Sequence, residues 1–104
     1  MSEEKFDAIV VGAGVAGCVA AYVLAKEGLD VLVIERGNYA GSKNMTGGRL
    51  YAHSLERVMP GFAEEAPVER LVTREKISFI TDDDSVTLDY HTGEAFSAEA
   101  ASYT

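Results

Sequence analysis

Residues Asp7–Gly37 read DAIVVGAGVAGCVAAYVLAKEGLDVLVIERG. Lys5–Val11 and Val31–Ile34 are apolar, β-branched runs, the pattern of parallel strands covered on both faces. Between them Val15, Cys18, Val19, Tyr22 and Val23 recur at three- and four-residue spacing, and Ala16, Ala20, Leu24 and Ala25 make a stripe of small residues beside them. Lys26 suits the last turn of that helix and Gly28 its C-terminal cap. The stretch therefore predicts one right-handed βαβ unit over 5–35.

Three glycines mark the junction of the first strand and the helix. A helix start leaves its first amides unpaired and carries partial positive charge, so the backbone through Gly12, Gly14, Val15, Ala16 and Gly17 is suited to a phosphate. Gly12 is expected to make the tight turn, Gly14 to keep a side chain out of the phosphate's space, and Gly17 to bring the helix close to the strand. Glu35 ends the second strand 18 residues past Gly17, where a carboxylate can accept hydrogen bonds from an adenosine ribose and repel a 2′-phosphate. A glycine triplet alone is a weak signal. Flanked by a strand, an amphipathic helix and a second strand ending in an acid, it predicts dinucleotide binding and leaves FAD and NAD both open.

The quoted stretch resembles the amino-terminal FAD-binding signature of the glutathione-reductase-type flavoproteins, in which the Glu-Arg-Gly ending is common. The segment that follows, GSKNMTGGRLYAHSLERVMPGFAEEAPVER, resembles the FixC family of electron transfer flavoprotein–quinone oxidoreductases, and more loosely the geranylgeranyl reductases. The resemblance runs from Phe6 to about Thr104. It implies FAD as cofactor, with Gly12, Gly14 and Gly17 facing the pyrophosphate, Glu35 the ribose, Arg36 the adenine side, and the loop from Lys43 to Arg49 running towards the flavin. Electron transfer flavoprotein, quinone and a small ferredoxin-like protein are the implied partners. Such proteins are much longer, so the expectation is an incomplete domain, the front of a Rossmann-like α/β FAD-binding fold, inactive by itself and peripheral at the membrane's inner face when full-length.

Further along, 38–49 (NYAGSKNMTGGR) has neither helical nor strand period and reads as a loop, in which Gly47 and Gly48 would let a flat ring approach the backbone. Lys43 and Arg49 are its candidate cofactor-side cations, although Arg49 could equally pair with a carboxylate of this acidic chain; no Walker pattern surrounds Lys43. A short helix is expected at about 50–59, stopped by Pro60-Gly61, and a β-hairpin at about 76–90, turning through Asp82–Ser85. After His91 the sequence TGEAFSAEAASYT offers no closing element.

Composition narrows the function. With 104 residues one compact unit is the default. A net charge of −8 opposes nucleic acid and anionic lipid, so no nucleic-acid partner is expected. No apolar run approaches the roughly 20 residues of a membrane span, and the acidic start lacks the basic region of a secretion signal, which predicts a cytoplasmic protein. Cys18, the single cysteine, cannot form an internal disulfide or ligate an iron–sulfur cluster by itself, and its place on the helix's apolar stripe predicts core packing. His53 and His91 have no third ligand at metal spacing, and the acidic turn has Thr87 and Gly93 where a calcium loop needs Gly and Glu, so no metal is expected.

Overall fold

The computed structural model describes residues 3–91, 93 and 101–104. It divides into two compact units, Met1–Thr46 and Gly47–Thr104, rather than the single one that length suggests. The first contains one two-stranded sheet and the second contains two.

In the first unit β1 (Ala8–Val11) and β2 (Val31–Ile34) lie parallel, in the register Ala8↔Val31 to Val11↔Ile34, with α1 (Val15–Lys26) between them in sequence. The ladder continues past the strand ends, with Gly12 N–H donating to Ile34 O at 2.7 Å and Asp7 N–H to Asp30 O at 2.8 Å. Helix α1 starts at Gly14, whose carbonyl accepts from Cys18 N–H at 2.9 Å. It ends where Gly28 turns to φ 86°: Gly28 N–H reaches Ala25 O and Leu29 N–H reaches Leu24 O, the paired bonds of a Schellman motif. The strands expected to be covered on both faces are not: Ile9, Val11 and Ile34 are exposed, because two strands and one helix can cover little more than one side of each other. Cys18 departs from expectation too, being exposed, its thiol donating to Ala13 O at 3.4 Å.

The second unit runs through β3 (Leu50–Tyr51), α2 (Ala52–Val58), a 3₁₀ turn (Phe62–Glu64), β4 (Arg74–Ile80), β5 (Ser85–His91) and β6 (Ser102–Tyr103). Gly61, at φ 74°, turns the chain after α2, and its N–H is held by Glu56 Oε1 at 2.7 Å. Ala52, Phe62 and Ala101 form the buried centre, packed by Leu55, Ala63, Leu71 and Tyr103, with the Phe62 and Tyr103 rings edge to face at 6.0 Å. β6 corrects the sequence reading of an open C-terminal stretch: it pairs antiparallel with β3, Leu50↔Tyr103 and Tyr51↔Ser102, and Val72 N–H donates to Ser102 O. A two-residue strand carries too little periodicity to be recognised without its partner. The remainder of that stretch, 92 and 94–100, lies outside the described residues.

β4 and β5 pair antiparallel from Arg74↔His91 to Ile80↔Ser85, and Thr81 closes the turn through Asp84 O and N–H. The register puts Ile77 opposite Leu88 and Phe79 opposite Val86 on one face. The other face carries the Ser78–Thr87 hydroxyl pair and the two-point contact of Arg74 with Asp89. Apart from Glu75 on the first face and Ile80 on the second, the hairpin is two-sided, and its apolar residues are exposed.

Candidate functional site

The first unit contains an open cleft of about 430 Å³ at the carboxyl ends of β1 and β2. Gly12 and Gly14 line it from the turn, Glu35 and Arg36 from the end of β2, and Gly41, Lys43 and Asn44 from the loop that follows. Five of the residues singled out from sequence therefore come together here. Val15, Ala16 and Gly17 form the first turn of α1 beside it, a turn with no side-chain cap and no acid.

The three glycines of the turn stand in three different situations. At φ 100° Gly12 occupies a conformation that a side chain disfavours, although a Cβ there would meet nothing within 4 Å. Gly17 is sterically fixed: a Cβ would stand 1.8 Å from Gly12 O and 3.3 Å from Val10 Cγ1. Gly14 is neither. Its φ is an ordinary −81°, and the nearest atom to an added Cβ, Asn44 Oδ1, is 3.8 Å away. Nothing in the unit's own packing calls for glycine at this place, so the bare backbone leaves open space at the start of a helix.

Glu35 is the electrostatic centre of the cleft. Its Oε2 accepts the Ala13 amide at 2.9 Å; its Oε1 accepts the Gly37 amide at 2.7 Å and the Lys43 ammonium at 2.8 Å. Lys43 first, then the two amides, stabilise the ionised form and hold the carboxyl down to about 2, from 4.5. The carboxylate is only 16% exposed, whereas the Lys43 side chain is 53% exposed. Glu35 thus ties the end of β2 to the glycine turn and to the loop, contacts that the ribose role expected from sequence does not include. Three donors leave room for about one more among the four lone-pair positions of a carboxylate.

Two further residues of the cleft, Gly41 and Asn44, are not singled out by sequence reasoning. Gly41 N–H donates to Ala13 O at 2.9 Å and Asn44 N–H to Gly41 O at 3.0 Å, which lays the loop against the turn. Aperiodic loop residues carry no pattern that reports such contacts; Gly41 at φ 78° is the one clue, and it signals a turn rather than a site.

Gly47, Gly48 and Arg49 belong to the second unit. A Cβ on Gly47 or Gly48 would meet nothing within 4 Å. Arg49 is engaged inside its own unit: Nε donates to the buried Ser102 hydroxyl at 2.8 Å, the guanidinium pairs with Glu75 at 2.7 Å, and it lies 4.7 Å from the Tyr51 ring centre. Among the described residues no cluster of three or more His, Cys, Asp or Glu side chains could hold a metal ion, and no helix is long and apolar enough to cross a membrane.

Over its whole length the chain is 65% identical to Protein FixC of Salmonella typhi and 69% identical to the Escherichia coli K12 protein named "Probable electron transfer flavoprotein-quinone oxidoreductase YdiS". Protein FixC of Azorhizobium caulinodans is 50% identical over 95% of the chain. The chain spans only 24% of the length of the first two and 22% of the third. Residues 7–99 match the model of the family described as FAD dependent oxidoreductase, whose cofactor is FAD. A parallel strand pair, a glycine turn opening a helix and an acid ending the second strand are the parts with which an α/β protein grips a dinucleotide, and the chain belongs to the FAD-dependent oxidoreductase family.

Proposed function

We propose that the first unit is the beginning of a glutathione-reductase-type FAD-binding domain and holds the adenosine diphosphate half of FAD. In this reading the amides of Gly14, Val15, Ala16 and Gly17 face the pyrophosphate, Glu35 takes both hydroxyls of the adenosine ribose and Arg36 borders the adenine. FAD supplies the electron chemistry, accepting electrons singly or in pairs. The unit's own residues bind, orient and neutralise. Gly14 is the observation that carries the proposal: a glycine whose φ is ordinary and whose Cβ space is open is explained by something that has to sit against it.

For the full-length protein we propose passage of electrons from an electron transfer flavoprotein towards a quinone. Support comes from the name of the Escherichia coli relative, at 69% identity. A ferredoxin-like partner is part of the same proposal, resting on the sequence resemblance alone. The test is a titration of full-length apoprotein with FAD, followed by reduction with reduced electron transfer flavoprotein and reoxidation with a soluble quinone. Bound flavin that is reduced and then reoxidised is the expected result; flavin that binds but takes no electrons from that donor would overturn the assignment of the donor.

A further inference from the structure

We propose that Lys43 serves the cleft in two places, on Glu35 before the dinucleotide binds and on the pyrophosphate after the ribose has claimed Glu35. This deepens the FAD reading and rests on it.

The crowding on Glu35 is the starting point. Three donors already occupy the carboxylate, from Ala13, Gly37 and Lys43. A ribose diol brings two more, against about four acceptor positions, so one donor has to leave. The Ala13 and Gly37 amides are fixed by the backbone: Ala13 sits between two glycines of the turn, its own carbonyl holding Gly41 N–H at 2.9 Å, and a Cβ on Gly37 would strike Ser42 Oγ at 2.1 Å. Lys43 reaches Glu35 through its ammonium, at the end of a flexible four-carbon stem that is half-exposed. It is the donor that moves.

Its destination is set by charge. Lys43 lines the same cleft as Gly12 and Gly14, and the helix that starts from Gly14 has no acid in its first turn. A pyrophosphate there carries about two negative charges, and Arg36 is the other cation lining the cleft. Leaving a carboxylate that has found hydroxyl partners, the ammonium gains an anion within the same cleft.

Two probes separate the two places, because adenosine has the ribose without phosphate and ADP has both. Full-length apoprotein is titrated with each, as wild type, Lys43→Met and Lys43→Arg. Removing the ammonium is expected to weaken ADP and FAD about tenfold, while adenosine binds as well as in wild type or about threefold tighter, its competitor on Glu35 being gone. Lys43→Arg should retain most of the ADP affinity. Unchanged ADP affinity in Lys43→Met overturns the inference, and so does a loss of adenosine affinity equal to that of ADP, which would mean that Lys43 only shapes the loop. A wild-type protein that binds neither FAD nor ADP would instead overturn the FAD reading and take this inference with it.

Discussion

Glu35 Oε2 accepts the amide of Ala13 at 2.9 Å, so the acid that ends one strand is bonded to the glycine turn that ends the other. The contact joins residues 22 apart in sequence and fixes the mouth of the cleft from both sides. It also gives Glu35 a structural role beside the ligand role proposed for it.

Gly17 and Gly14 should respond differently to substitution. Gly17→Ala forces a Cβ to within 1.8 Å of Gly12 O, and backbone cannot yield as a side chain can. We expect a loss of roughly 1–3 kcal/mol, read as a lower denaturant midpoint of the full-length protein. Gly14→Val, by contrast, should leave the midpoint within about 1 kcal/mol and abolish FAD retention. Equal midpoints for Gly17→Ala and wild type would show that the helix does not pack on the strand as described.

The depressed carboxyl of Glu35 makes a pH prediction. Its folded value, about 2, lies below the unfolded 4.5, so ionised Glu35 stabilises the first unit fully above 4.5. That contribution is lost as pH falls from 4.5 through about 2. Titration of the Glu35 carboxyl by NMR should show its midpoint near the lower value, and Lys43→Met should move it up. A midpoint at the ordinary carboxylate value would contradict the three hydrogen bonds.

Glu35→Gln should weaken FAD binding by about 1–2 kcal/mol, the scale of a hydrogen bond to a charged group. Calorimetric titration of the full-length protein measures it. The amide can donate as well as accept, yet it cannot accept from all three present donors, so the loop from Gly37 to Asn44 should also loosen and its amides exchange faster.

Arg49→Met tests the second unit. Removing the guanidinium leaves the Ser102 hydroxyl, 2% exposed as a residue, without its donor and Glu75 without its partner. We expect about 1 kcal/mol of destabilisation, discounted because both charged groups are partly in water. Flavin binding measured beside thermal unfolding distinguishes the outcomes: a loss of FAD affinity without a stability change would assign Arg49 to the cofactor after all.

The legible part of the cleft lies in its local chemistry. Gly12, Gly14 and Gly17 suggest a turn, a bare approach and a tight crossing through their spacing between a strand and a helix, and Glu35 stands at the end of the second apolar run. The sequence offers Lys43 as a candidate cofactor-side cation but not its pairing with Glu35, and Gly41 and Asn44 hardly at all. Their places depend on where the loop lands, and a loop has no period from which to read it.

Arg49 and Ser102 make the same point in the second unit. Nothing at either position hints that they meet across 53 residues, or that two-residue strands at 50–51 and 102–103 find each other. The sequence by itself determined the kind of ligand, because helix amides, missing side chains and one acid are properties of short segments. Only the tertiary structure decided which donors Glu35 serves and which acid Arg49 answers, because those pairings arise when distant segments are brought within hydrogen-bond reach.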